Sequence, residues 1–380
     1  MAVRVGMIGV GVVGRIRSRM YANKIDGADL TAVCDIDPAA LDWAEQEFGD
    51  EVERFDDAEK MWDAVDAVFV ATPHYQHPPL AIRAFQEGKH VCIEKPAGVH
   101  PGHVREMNEA AKKAGKVFCV HFQHRYKPVN QLIHSLVQSG ELGEIRRINW
   151  IITTWFRSQQ YYNSGGWRAT WAGEGGGVLL NQAPHQLDLW QWFFGMPRRL
   201  RAFCYEGKHH EIETEDEATL FMEYDNGATG VFITSTSENP GTNRLETKGN
   251  RGKLVVEDGE VTCRRTRYPV QKSIETTKFS SWGGETWPVD LQPSLGPSDR
   301  SLDQDFIDAI NNGSQTLVPG ASGLNEVLLA SAAIQSSWDD NWVVIDEFDD
   351  DRYLGQLQDR IKNSTFEKTE LSTPNYDEGY

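Results

Sequence analysis

The feature that most constrains this chain is a glycine pattern at its start. An apolar alternating run (Val3, Val5, Met7, Ile8) leads directly into Gly9-x-Gly11-x-x-Gly14, and a helix-compatible segment, Arg15 to Asn23, follows. In that strand–turn–helix setting each glycine has a physical task. Gly9 permits a tight turn, Gly11 lets the backbone approach a pyrophosphate, and Gly14 lets the helix pack on the strand. Val12 and Val13 then fall at the helix N-terminus, whose unpaired N–H groups face the phosphates. A lone glycine triplet also occurs in nucleotide-free turns. This one is reinforced by a second strand, Leu30-Thr-Ala-Val-Cys-Asp35, which ends in an acid 21 residues beyond Gly14. A carboxylate there can accept both hydroxyls of an adenosine ribose. The segment Cys34-Asp35-Ile36-Asp37-Pro38 holds two acids and no base to neutralise a 2′-phosphate, so the pattern predicts NAD over NADP. Arg15, just past the last glycine, is the one nearby cation that competes with this reading.

At 380 residues the chain suits two domains, and 39% hydrophobic residues with twelve tryptophans allow a full core. The net charge of −18 argues against nucleic acid or an anionic membrane as partner. The acid-rich end, Asp346 to Asp351 and then Asp377-Glu378, reads as a solvated tail. No run of about 18 apolar residues suggests a membrane span, and the N-terminus lacks a signal-peptide layout. Five cysteines (34, 92, 119, 204, 263) are odd in number and never form Cys-x-x-Cys; three fall in predicted strands. Buried reduced thiols in a cytoplasmic protein are expected.

Strand and helix signals alternate through the first third, with strands at 67–71, 90–93 and 116–121 and helices at 38–48, 77–87 and 101–114. That repetition implies a parallel sheet covered on both faces. After about residue 125 one helix, Val129 to Ser139, precedes strand-like runs at 145–155, 198–206, 217–224, 228–236, 244–248, 252–257 and 260–265. Asp225-Asn226-Gly227 is a hairpin signal between two of them. Consecutive strands without helices predict a mostly antiparallel sheet. Residues 266–300 read as a long loop, followed by helices Leu302–Asn312 and Leu324–Trp338.

Two clusters carry chemistry. Glu94-Lys95-Pro96 stands at the carboxyl end of a predicted strand, where open α/β sheets bind ligands. A lysine there can hydrogen-bond a substrate hydroxyl, and burial lowers its pKa toward useful values; Pro96 pins the turn, in cis or trans. A surface lysine in a turn is the plainer reading of the tripeptide alone. The second cluster runs from Gly175-Gly-Gly through Asn181 to His185 and Asp188. Spacings of four and three place Asn181, His185 and Asp188 on one helical face, unless Pro184 starts the helix. Histidine is suited to proton transfer near neutrality, although a capping Asn and a structural His fit the spacing equally.

Taken together, these motifs resemble the glucose–fructose oxidoreductase, inositol dehydrogenase and MocA family. The resemblance spans about residues 3–345. It rests on the glycine pattern, Asp35, Ala71-Thr72-Pro73-x-x-x-His77, Gly88-Lys89-His90-Val91-x-x-Glu94-Lys95-Pro96, Arg125-Tyr-Lys-Pro128, Gly140-x-Leu-Gly143, Trp167-Arg168, Gly175-Gly-Gly and His185-x-x-Asp188. It implies that NAD is held by Gly9, Gly11, Val12, Val13, Gly14, Asp35, Thr72, Pro73, His74, His77, Glu94, Lys95, Gln123, Trp167 and Arg168. Lys95 and His185 would be the catalytic pair, with Asn181, Arg125, Trp155 and Arg157 toward the substrate. Many polyol dehydrogenases of the family carry Asp where this chain has Asn181. An amide can hold a hydroxyl but carries no proton, so acid–base work falls to Lys95 and His185, as in members that oxidise sugar C3 hydroxyls.

Some candidates are set aside. His209-His210 with Glu211, Glu213, Glu215 and Asp216 reads as a polar turn before a strand, and no metal site is expected. His121 and His124 point to opposite faces of a strand end. The aromatic run Trp155-Phe156, Tyr161-Tyr162, Trp167, Trp171 is either core or a sugar-stacking wall, and a Trp-bearing loop at 282–287 is equally open. The expected architecture is a Rossmann NAD-binding domain (1–124) with a doubly wound parallel sheet. An α/β domain with a large, mostly antiparallel open sheet (125–345) and an acidic extension (346–380) follow. The expected activity is NAD-dependent hydride transfer with a secondary hydroxyl of a sugar, glycoside (at C3 among others) or cyclitol. The competing readings are an oxidoreductase that recycles tightly held NAD with a second carbonyl substrate, and a non-catalytic NAD sensor. With few helices after residue 200 to cover it, one face of the open sheet is expected to pair with another subunit, giving a homodimer or homotetramer.

Overall fold

The computed structural model describes residues 2–281, 285–289, 291 and 301–368. The first sheet is parallel, with the order β3-β2-β1-β4-β5-β6. Its strands are β1 (Val3–Ile8), β2 (Ala28–Cys34), β3 (Glu53–Phe55), β4 (Ala67–Val70), β5 (His90–Ile93) and β6 (Phe118–Val120). Helices α1 (Val12–Asn23), α2 (Pro38–Phe48), α3 (His77–Gln86) and α4 (Pro101–Ala114) connect them. The central strands read as unbroken apolar runs because both faces are covered: all four residues of β4 are fully buried. Helix ends follow local chemistry. Asp37 caps α2 by accepting the Ala39 N–H ahead of Pro38, and Gly115 stops α4 in the left-handed conformation at φ 62°.

The chain continues through α5 (Pro128–Gln138), β7 (Ile145–Ile152), α6 (Gln159–Asn163), α7 (Pro184–Phe194), β8 (Arg199–Glu206), β9 (Glu215–Glu223), β10 (Thr229–Ser235), β11 (Asn243–Gly249), β12 (Gly252–Glu257), β13 (Glu260–Thr266), α8 (Val270–Thr276), β14 (Thr286–Pro288), α9 (Leu302–Asn312), α10 (Gly323–Trp338), β15 (Val343–Val344) and α11 (Asp350–Asn363). The second sheet has nine strands in the order β14-β13-β12-β11-β7-β10-β9-β8-β15. Every pair in it is antiparallel except β7 with β10. Alternation along its strands is clean. Leu200, Ala202, Leu220, Met222, Phe232, Trp150, Ile152 and Leu245 point inward beneath α7 and α10. On the opposite face Phe203 and Phe221 are exposed, beside the half-buried Ile151, Val231 and Ile233.

Three differences from the sequence reading have physical causes. The region expected as a loop after residue 265 contains α8, with no buried residue, and the edge strand β14, too short to signal itself. Trp282 of the tryptophan-bearing loop lies outside the described residues, and Trp287 is exposed on β14. The acid-rich end is not simply a solvated tail. Asp346 and Glu347 lie in a short turn, Asp349 caps α11, and Asp350 and Asp351 fall in its first turn, where they favour the helix dipole, while Tyr353 and Leu357 are buried in the second core. Asp377 and Glu378 lie outside the described residues. Finally, α9 returns to the first domain: Leu302, Phe306 and Ile307 belong to the core around the parallel sheet. Among the described residues no helix is long and apolar enough to cross a membrane.

Candidate active site

The glycine turn is built as its sequence requires. Gly9 has φ +91°, and a side chain there would meet the Ala71 carbonyl oxygen at 2.7 Å. A Cβ on Gly14 would fall 2.0 Å from the Gly9 oxygen, whereas Gly11 faces open space. Helix α1 begins at Val12 with no side-chain cap and no acid in its first turn, so its N-terminal amides remain available to an anion. At the end of β2 one Asp35 oxygen accepts the Val10 N–H at 2.7 Å and the other accepts the Asp37 N–H at 2.9 Å. Arg15 is drawn back toward the turn: its Nε donates to the Val10 oxygen at 3.2 Å and its guanidinium lies 4.8 Å over Trp43. The Thr72 hydroxyl is buried without a hydrogen-bond partner, a polar atom left over for a ligand. These features fit a dinucleotide.

Not every residue expected in the cofactor groove lines it. His77 is fully buried, with its two ring nitrogens 2.8 Å from the carbonyl oxygens of Pro96 and Thr72. It braces the two turns that border the groove rather than presenting a surface to a ligand. His74 is buried too, its Nδ1 3.0 Å from the Glu174 carbonyl oxygen and its ring edge-on to Trp167. Burial pushes both imidazoles below their ordinary pKa. Gln123 is engaged with His121, at 3.1 Å.

Glu94 stands over a buried network that sequence reading missed. Arg17 of α1 reaches Glu94 at 3.9 Å and Asp303 of α9 at 3.1 Å, while His121 lies 3.5 Å from Glu94 and 3.4 Å from Asp303. Burial would raise the Asp303 carboxyl, but His121 and Arg17 outweigh it and hold it at about 2. Asp303 lies 182 residues from His121 and 286 from Arg17 in sequence, so no local pattern could reveal the link.

The Lys95–Pro96 bond is cis. Lys95 reaches across to the second domain, where Nζ donates to the Asn181 backbone oxygen at 2.7 Å and lies 3.4 Å from its side-chain oxygen. Burial lowers the Lys95 pKa, partly opposed by Glu94. Asn181 precedes α7, which Pro184 opens, so the shared helical face reduces to His185 and Asp188. His185 stacks on His124 with centroids 4.2 Å apart and sits edge-on to Phe122. Its Nδ1 has no partner, and burial with repulsion from His124 and Lys95 pushes its pKa well below the ordinary value. The ring is therefore neutral near pH 7 and able to accept a proton.

Arg125 is a correction. It is 3% exposed and forms a two-pronged ion pair with Asp188, so it anchors α7 and is closed to any substrate. Trp155 is half-buried, with Nε1 bonded to Thr234 Oγ1 at 3.1 Å, and Arg157 lies 4.9 Å over the Tyr161 ring. Arg168 lies 4.6 Å over both Trp167 and Tyr161 and donates to the Tyr161 hydroxyl at 2.8 Å. The aromatic run divides accordingly. Tyr162 and Trp171 are core, Phe156 is half exposed, and Tyr161 and Trp167 border the site with Arg168. The His209-His210 segment is the turn before β9, tied to Asp216 and Glu217. Among the described residues no cluster of three metal-binding side chains occurs. Glu174 and Gln182 went unrecognised from sequence, and His124, set aside there as one of two histidines at a strand end, stacks on His185. Glu174 had a signal, standing next to the triple glycine.

Known proteins agree with this geometry. Residues 3–122 match the family model described as an oxidoreductase family with an NAD-binding Rossmann fold, and residues 130–255 match the GFO/IDH/MocA C-terminal domain. D-glucoside 3-dehydrogenase of Escherichia coli is 32% identical over 258 residues, covering 64% of this chain and 69% of that protein. Inositol 2-dehydrogenase of Rhizobium meliloti is 23% identical, covering 88% and 97%. Among solved structures, the WlbA dehydrogenase of Chromobacterium violaceum, in complex with NADH and UDP-GlcNAcA, is similar at a TM-score of 0.77 and 26% identity, covering 90% of this chain and 95% of the other. With a glycine turn built for a dinucleotide, and with both family models and these relatives matched, this chain belongs to the Gfo/Idh/MocA family of NAD-dependent oxidoreductases, among sugar and cyclitol dehydrogenases.

Proposed function

We propose that this enzyme oxidises a secondary ring hydroxyl of a pyranose, glycoside or cyclitol, with the C3 hydroxyl of a glycoside as the preferred position. The observation that carries this reading is the partly buried Lys95 at the carboxyl end of β5, whose Nζ is held 2.7 Å from the Asn181 backbone oxygen. Bound NAD supplies the acceptor for the hydride that leaves the carbinol carbon. Lys95, with its pKa lowered by burial, takes the hydroxyl proton in its neutral form, and the neutral His185 imidazole is the second acceptor. Asn181 holds a hydroxyl without competing for its proton. Trp155, half-buried, offers aromatic surface of the kind that packs on sugars, while the Tyr161 and Trp167 rings are covered by Arg157 and Arg168. The similarity to a D-glucoside 3-dehydrogenase supports the C3 position.

A panel of free sugars, alkyl glycosides and cyclitols, followed by NADH absorbance, tests the substrate class. Oxidation of glycosides with a 3-keto product supports it, and turnover of acyclic polyols alone overturns it. Asp35, oriented by two backbone amides, is proposed to bind the adenosine ribose, with the exposed Ile36 beside it for the adenine. NAD should therefore exceed NADP in kcat/KM by at least about tenfold, the cost of placing a phosphate beside a carboxylate. Asp35→Ala should narrow the gap. A ratio near one would refute the assignment.

The outer face of the nine-stranded sheet supports a homo-oligomer. Phe203, Phe221, Val231, Ile233 and Ile151 form an apolar centre, flanked by Arg199–Glu223 and Arg147–Glu246 ion pairs. A second copy of this chain would bury that face in a symmetric dimer or tetramer. Light scattering at micromolar concentration should give a multiple of the chain mass, and a strictly monomeric mass would remove the idea. A cytoplasmic location fits five unpaired cysteines, four of them buried.

A further inference from the structure

Glu174 is buried, 1% exposed. Its backbone N–H donates to Thr170 at 2.9 Å, and its carbonyl faces His74 of the cofactor-side turn. One carboxylate oxygen accepts the Ala169 N–H at 2.7 Å, pinning a residue that holds a left-handed φ of 60° next to Arg168. The other accepts from the Asn181 amide nitrogen. That nitrogen also lies 3.2 Å from the Tyr161 hydroxyl. A carboxylate only accepts, so it dictates which end of the amide turns toward it. The Asn181 oxygen is left facing Lys95.

We propose that Glu174 is a positioning residue for the reaction: it fixes the Asn181 amide with its oxygen toward Lys95 and places a carboxylate one hydrogen bond behind that lysine. The proposal rests on Lys95 as the proton acceptor.

The groups around the lysine single out Glu174 for this role. Lys95 is faced by Glu94 from its own turn, by His74 and His77 from the opposite turn, by His124 and His185, by Arg168 and Glu174, and by Glu326 of α10. The histidines have depressed pKa values and are neutral. Glu94 is shared with Arg17 and His121. Glu326 is fully buried with neither oxygen hydrogen-bonded, and burial pushes its carboxyl well above the ordinary range, which disfavours its charged form. Burial leaves the Glu174 carboxyl raised on balance, opposed by Arg168, the Ala169 N–H, the Asn181 amide and Lys95; what sets it apart is geometry, since it is the acid that bonds the amide of the lysine's own partner, Asn181.

Glu174→Gln is the test, because it keeps shape while replacing an acceptor with a competing donor. The expected result is a fall in kcat of about tenfold or more, the loss of a charge-assisted hydrogen bond, with KM for NAD changed less than about twofold. The second measurement is a 13C NMR titration of lysine Cε in NAD-free protein, with Lys95 assigned from Lys95→Met. Removing the carboxylate removes a charge that favours the ammonium, so the Lys95 midpoint should fall by about half a pH unit or more. Glu174→Asp, which keeps the charge, should restore part of the midpoint. It also stands in if Glu174→Gln does not fold: kcat reduced about threefold with a smaller fall in midpoint is then expected, and wild-type values for both would overturn the proposal. In folded Glu174→Gln an unmoved Lys95 midpoint and kcat would overturn it, while Lys95→Met still loses activity. Retained kcat in Lys95→Met would instead overturn the lysine reading beneath it.

Discussion

Replacing Lys95 by alanine should lower kcat by about a hundred- to ten-thousand-fold, the range for losing a positioned acid–base group, while NAD binding persists. The lysine stands between the cofactor turn and Asn181, and its amine is buried enough to shift its pKa downward. A lowered pKa enlarges the neutral fraction at ordinary pH, which is the form that accepts the hydroxyl proton. In the wild type, kcat for alcohol oxidation should rise with pH along a limb set below the ordinary lysine value of about 10.4. Fluorescence titration with NADH separates the two effects. Loss of binding parallel to loss of kcat would assign Lys95 to the cofactor alone.

The second large effect is expected at His185. Its stack on His124 and the missing partner on Nδ1 leave a neutral ring held in place by packing rather than by hydrogen bonds. His185→Ala should therefore cost about a hundredfold or more in kcat without unfolding the protein, since the ring is only partly buried. Asn181→Asp would place a carboxylate near Lys95 and His185. The imidazole pKa should then rise, because a nearby negative charge favours the charged form, and the pH–rate profile should move to higher pH. Near wild-type kcat in His185→Ala across pH 6–9 would make the histidine structural.

Much of this was legible in the chain because the signals are local. The glycine turn, Asp35, the strand before Glu94-Lys95-Pro96 and the hairpin at Asp225-Asn226-Gly227 each sit within about ten residues of what they determine. Lys95 with Asn181 was readable only as two motifs, since an 86-residue separation gives no distance. Arg125 shows the opposite failure. A lone arginine reads as an anion site, yet Asp188, placed on the same stretch as His185, closes it off. The buried His77 and the Glu94–Arg17–His121–Asp303 network were invisible for the same reason: tertiary packing, not sequence period, decides which polar groups meet. Glu174 was adjacent to a recognised motif, but its role depends on a loop that folds back through the strained Ala169.

The return of α9 to the first core bears on how this enzyme can be divided. A fragment ending at residue 124 would keep Glu94 beside Arg17 and His121 but lose Asp303, which bonds Arg17 at 3.1 Å, and the apolar seat of Phe306 and Ile307 would open to water. Removing one partner of a buried charge network is costly, as is exposing core side chains. The nucleotide half is therefore not an exchangeable module that can be cut off and grafted onto another substrate domain. Chimaeras between relatives should take residues 302–318 along with the N-terminal part, as a two-piece insert rather than a single cassette.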